Sequence, residues 1–83
     1  MLIYPNPSDG KLNINYTLSK DCNVNIGIYN ILGEKIKEIE NNSKAKGNYN
    51  LEYNLSSLPS GVYSCRMKSG DNSVIIKRLV ISK

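Results

Sequence analysis

Eighty-three residues with 40% hydrophobic content are enough for one small domain and too few for two. The net charge of +4 comes from eleven basic residues spread among seven acids, and scattered charge gives no coherent field for nucleic acid or a membrane surface. With no His in these residues, neither a Ser-His nor a Cys-His couple can be assembled, so intrinsic catalysis is not expected.

Leu2-Ile3-Tyr4 is a short apolar run that reads as an edge strand. It enters the turn-forming run Pro5-Asn6-Pro7-Ser8-Asp9-Gly10, where each proline restricts both itself and the residue before it. Leu12, Ile14, Tyr16 and Leu18 then alternate with Asn13, Asn15 and Thr17, the period of a half-buried strand. After a break at Ser19-Lys20-Asp21, Cys22, Val24, Ile26 and Ile28 repeat the alternation.

The middle of the chain admits two readings. Leu32, Ile36 and Ile39 have helical spacing, and Glu34 to Glu38 is acceptable helix chemistry. Gly33 interrupts the segment and its neighbours are strands, which favours a turn at Asn30 to Gly33 followed by a bulged strand from Glu34 to Ile39. Asn41 to Gly47 is polar and reads as a loop. Tyr49, Leu51, Tyr53 and Leu55 alternate with Asn50, Glu52 and Asn54 as another half-buried strand.

In Leu58-Pro59-Ser60-Gly61, Pro59 fixes φ near about −65° and Gly61 can supply φ > 0, the chemistry of a tight turn. Tyr63, Cys65 and Met67 follow on one face, with Ser64, Arg66 and Lys68 on the other. Gly70-Asp71-Asn72 turns the chain back into Ser73 to Ile81, a Val- and Ile-rich partner strand. About seven short strands separated by turns every 8 to 12 residues or so predict an all-β sandwich. Its expected core holds Leu12, Ile14, Tyr16, Val24, Ile26, Ile28, Leu51, Tyr63 and Met67.

Few residues suggest chemistry. Asp9 and Asp71 sit in turns, where local backbone hydrogen bonds account for them. Two distant thiols and no imidazole make no metal site, and no cofactor is expected. Cys22 and Cys65 both fall on inward phases; they are either free core thiols or a disulfide, and phase alone does not decide. Three Asn-X-Ser/Thr patterns, at Asn15, Asn41 and Asn54, fit coincidence in an Asn-rich chain. No stretch is long and apolar enough for a membrane-spanning helix, and the N-terminus lacks signal-peptide features.

Four motifs in order, Tyr4-Pro5-Asn6-Pro7, Ile28-Tyr29-Asn30-Ile31-Leu32-Gly33-Glu34, Leu58-Pro59-Ser60-Gly61-Val62-Tyr63 and Lys77-Arg78-Leu79-Val80-Ile81-Ser82-Lys83, resemble the type A C-terminal sorting domain of the bacterial type IX secretion system. That family is itself similar to the immunoglobulin-like domain of hook-capping proteins. Ser64 and Cys65 stand where bulky or aromatic residues are usual.

The resemblance covers essentially the whole chain. It implies a single immunoglobulin-like sandwich of seven antiparallel strands, residues 1–83, excised from a larger secreted protein. Its partners would be the outer-membrane translocon, which reads the domain after transit through the periplasm, and a sortase-like peptidase that removes it and can attach the cargo to lipopolysaccharide. The domain would then be substrate and address, not enzyme, and a monomer. Residues implied in recognition are Pro5, Asn6, Pro7, Gly33, Leu58, Pro59, Gly61, Tyr63, Lys77 and Lys83. The alternatives are an accessory or spacer module that binds carbohydrate, against which the absence of Trp counts, and a module that pairs with itself through an edge strand.

Overall fold

Strict alternation of apolar and polar residues sends successive side chains to opposite faces of a strand, so each strand here can bury one face and hydrate the other. A computed structural model describes residues 1–70 and 73–83. The described residues form seven strands: β1 (Leu2–Tyr4), β2 (Lys11–Leu18), β3 (Cys22–Tyr29), β4 (Lys35–Lys44), β5 (Gly47–Asn54), β6 (Gly61–Ser69) and β7 (Ser73–Ile81). A three-stranded sheet in the order β1-β2-β5 and a four-stranded sheet in the order β4-β3-β6-β7, antiparallel throughout, make the sandwich. The expected all-β architecture and strand count are borne out.

The inward phase of β2 (Leu12, Ile14, Tyr16, Leu18) and of β3 (Val24, Ile26, Ile28) is buried, as are Tyr63, Cys65 and Met67 of β6. Ile3, Leu55, Leu79 and Ile81 complete the cluster. Burying one such side chain contributes about 1.5–3 kcal/mol, so a core of this size rests on most of its members. Leu51 departs from expectation. It is half-buried and packs on the margin of the core, because β5 is an edge strand whose inner face is only partly covered.

The ambiguous middle segment is strand, and its ladder accounts for the helical spacing. Ile26 faces Glu40 while Gly27 faces Glu38, and Ile28 faces Lys37 while Tyr29 faces Lys35, so Ile39 and Ile36 are each an extra residue in a bulge. A bulge adds one residue to the period of two. Apolar residues three apart therefore arise without a helix.

Two turn assignments are corrected. Asn41 to Gly47 is not a loop: β4 runs on to Lys44, paired with Cys22, and β5 begins at Gly47. Polar residues suffice there because their side chains are satisfied across the ladder, as in the Ser43 hydroxyl donating to Asn23 Oδ1 at 2.5 Å. Near Leu58 the tight turn lies earlier, closed by Leu58 N–H donating to the Leu55 carbonyl at 2.9 Å. Gly61 has no positive φ and opens β6 opposite Ile81. The turn expected at Gly70-Asp71-Asn72 lies, for Asp71 and Asn72, outside the described residues.

Cys22 and Cys65 are free thiols. Cys65 is opposite Ile28 at one end of β3 and Cys22 is at the other, about 20 Å away at roughly 3.3 Å per residue. A disulfide requires Cα atoms within about 7 Å. Burial pushes the Cys65 thiol up to about 12.

Candidate functional site

The N-terminal turn and the last strand are stitched together. Asn6 Nδ2 donates to the Arg78 carbonyl at 2.8 Å, and Asn6 Oδ1 accepts from Val80 N–H at 3.0 Å. Ser8 continues the seam: its N–H donates to the Val80 carbonyl at 2.9 Å and its carbonyl accepts from Ser82 N–H at 2.8 Å. Ser8 is buried, with its hydroxyl donating to the Lys11 carbonyl and accepting from Gly10 N–H. Asp9 caps the turn by accepting from Lys11 N–H, as its local reading requires. The loop that carries both prolines thus serves, through Ser8, as a short parallel partner for the edge of β7, bridging the two sheets.

The same end holds the connection from β5 to β6. Tyr63 is buried and donates its hydroxyl to the Pro59 carbonyl at 2.6 Å, fixing the connection as it enters β6. Lys83 N–H donates to Ser60 Oγ at 3.1 Å, and the Lys83 ammonium donates to the Ser56 carbonyl. Pro5, Asn6, Pro7, Leu58, Pro59, Gly61, Tyr63 and Lys83 therefore converge on one end of the sandwich, although they come from three separate parts of the chain. Pro5, Asn6, Pro7, Pro59 and Lys83 are exposed there, Leu58 and Gly61 are half-buried, and Tyr63 offers little surface.

Gly33 lies at that end on the outer side of the larger sheet, at φ +83, in a turn wired by Asn30. Asn30 Oδ1 accepts from Leu32 N–H at 2.9 Å and from Glu34 N–H at 3.0 Å. The Asn30 backbone closes the turn with Gly33 and Glu34. Every constraint in this turn is polar, and it holds Ile31 and Leu32 82% and 79% exposed. Lys77 stands apart from the others, midway along β7 opposite Cys65.

A neighbouring set of residues was not singled out in the sequence. On the outer face beside the Asn30 turn, Ile31, Val62, Ser64, Arg66, Ile76 and Arg78 line a shallow groove. Arg66 lies over the Tyr29 ring at 4.2 Å, its Nε buried without a partner among the described residues. Its signal was present: Val62, Val74 and Ile76 occupy outward phases of β6 and β7, where alternation calls for polar residues. They are exposed accordingly.

Residues 2–82 match the family model described as the secretion system C-terminal sorting domain. The chain belongs to this family. Such a domain is the C-terminal sorting signal for type IX secretion, which directs export to the cell surface or medium. No curated protein matches the chain. The sorting domain works with the type IX secretion machinery and is not itself catalytic. Among its described residues no helix is long and apolar enough to cross a membrane.

Proposed function

We propose that this sorting domain is read as a folded object by the outer-membrane translocon after transit through the periplasm, and that the end carrying the Pro5–Pro7 loop, the 58–61 connection and Lys83 forms part of the surface read. The observation that supports this is convergence. Segments dozens of residues apart in sequence meet only when the sandwich closes, so a reader of this surface distinguishes a folded cargo tail from an unfolded one. Exposed prolines and a basic group on a fixed frame present little conformational freedom to be lost on binding. Removal of the domain by a sortase-like peptidase outside the membrane completes the reading, with the domain as substrate.

The test is a fluorescent reporter fused ahead of this chain, behind a periplasm-targeting signal, in a bacterium with a type IX system. The intact fusion is expected outside the cell. Ile14→Asp, which places a charge at a fully buried position, should unfold the domain and leave the reporter in the periplasm. Periplasmic retention of the intact fusion refutes the reading, and export of the unfolded form shows that a linear segment suffices. Deleting Ile81 to Lys83 is a poorer test, because Ile81 is a core residue paired with Gly61.

A further inference from the structure

The seam described above covers only part of the β7 edge. In an antiparallel pair, alternate residues direct both backbone groups toward the partner and the others direct them away. Val80 N–H and carbonyl, the Arg78 carbonyl and Ser82 N–H all point away from β6, since they bond to Asn6 and Ser8. With an unbroken register along β6 and β7, the backbone groups of Val74 and Ile76 and the N–H of Arg78 point away as well. Among the described residues nothing bonds to them. They form a short open edge that begins where the Asn6 clamp stops.

The side chains next to this edge carry a definite chemistry. Val74 and Ile76 are 50% and 58% exposed on the outer face, opposite Lys68 and Arg66 of β6. Arg66 and Arg78 flank the apolar strip, and neither has an acidic partner among the described residues. The Arg66 Nε donor is buried with no acceptor among the described residues, an arrangement that costs free energy.

We propose that the β7 edge from Val74 to Arg78 receives an extended segment of the export machinery as an added strand, one whose outward-facing positions, every second residue, carry acidic and apolar side chains in turn. This rests on the sorting function proposed above. Main-chain hydrogen bonds to the open edge hold such a segment, and alternate side chains set its specificity. On that shared outward face its apolar residues cover Val74 and Ile76 while carboxylates reach Arg78 and, across β7, Arg66 opposite Ile76, the charge-assisted geometry that guanidinium groups favour.

A second copy of this chain is the poorer occupant. Antiparallel pairing of two open stretches centred on Ile76 sets Arg78 of each copy across from Val74 of the other, so it supplies no carboxylate to either arginine and joins two molecules of net charge +4. Lys77 acts against self-pairing in another way. It occupies an inward phase between Ile75 and Leu79, and a charge so placed on an edge strand is a common guard against pairing with a like sheet.

Two variants test the edge while leaving the core alone. Ile76→Pro removes only an outward N–H, which an edge strand tolerates, and blocks strand addition. Arg66→Gln with Arg78→Gln removes the charges and leaves the edge open. In the reporter assay, export of both variants is expected to fall at least tenfold, with thermal melting near that of the parent chain. An end-blocked peptide of the repeat Glu-Thr-Val-Thr, which sets glutamate and valine in turn on one face, should shift the NMR amide signals of Val74, Ile76 and Arg78, and its lysine counterpart should not.

If the parent fusion is exported and both variants match it, the edge proposal is overturned and the sorting function stands. If the parent fusion is retained, the functional reading itself fails. Equal binding of the two peptides overturns the charge assignment, and a dimer by sedimentation that Ile76→Pro abolishes assigns the edge to a second copy instead.

Discussion

The Asn6 carboxamide bonds to Val80 N–H and to the Arg78 carbonyl, 74 and 72 positions further along the chain. One side chain thereby does the work of a strand residue, donating and accepting along the edge of β7. Each such hydrogen bond contributes about 0.5–1.5 kcal/mol net. Asn6→Ala should destabilise the domain by about 1–2 kcal/mol in urea unfolding and speed hydrogen exchange at Val80. Unchanged exchange at Val80 would place the clamp outside the stable fold.

Tyr63 combines burial with its hydrogen bond to the Pro59 carbonyl. Tyr63→Ala should cost about 3–5 kcal/mol, enough to unfold a domain of this size, since truncating a buried aromatic loses both transfer energy and packing. Tyr63→Phe should cost about 1 kcal/mol, the value of the hydroxyl contact alone. Ser64→Ala, on the opposite face of the same strand, should stay within about 0.5 kcal/mol. Denaturation midpoints that fail to follow this order would contradict the facing of β6.

Tyr16 is the reverse case. Its ring is buried and stacked on Tyr49 with centroids 5.2 Å apart, but its hydroxyl has no partner among the described residues. Burial, and then the nearby Glu40 carboxylate, push its pKa up to about 12. A phenol that ionises later in the folded chain than in the unfolded one favours the unfolded state as pH rises past 10, the ordinary value, toward 12. Stability should therefore fall across that window. Tyr16→Phe should reduce the alkaline loss and, by removing an unsatisfied buried hydroxyl, match or exceed the parent stability at pH 7. A clearly lower melting temperature for Tyr16→Phe at neutral pH would show that the hydroxyl is satisfied in solution.

Gly10 has φ +119, and a Cβ there would lie 2.7 Å from Ser56 Cα. Backbone against backbone leaves no flexible side chain to yield. Gly10→Ala should cost about 2–3 kcal/mol from overpacking and strain together, and should loosen the hydrogen bond from Leu55 N–H to the Gly10 carbonyl. Calorimetry with a melting temperature unchanged from the parent would contradict this close approach.

The thiols should differ sharply in reactivity. Cys22 is half-buried at the start of β3, whereas Cys65 is wholly buried with its pKa pushed up to about 12, and only the thiolate is nucleophilic. A thiol reagent at pH 8 should modify one cysteine quickly in the native chain, and mass mapping should place the label on Cys22. Fast labelling of both, or of neither, would contradict the burial of Cys65 or the exposure of Cys22.

Local pattern by itself determined the strands and most of the core of this sorting domain. Alternation is a property of the backbone geometry of one strand, so Leu12 to Leu18, Cys22 to Ile28 and Tyr63 to Met67 show their inward faces without reference to any neighbour. The order of four motifs likewise carried the family. Pairing and closure belong to the tertiary structure, because they depend on groups distant in sequence. Only the ladder from β3 to β4 turns the helical spacing of Leu32, Ile36 and Ile39 into a turn and two bulges, and only cross-strand hydrogen bonds make a strand of Asn41 to Lys44. Strand length separates Cys22 from Cys65. The meeting of Asn6 with Val80, which leaves Val74 to Arg78 as the open part of the β7 edge, required the sandwich to close, since backbone donors and acceptors look alike in sequence until each one's partner is known.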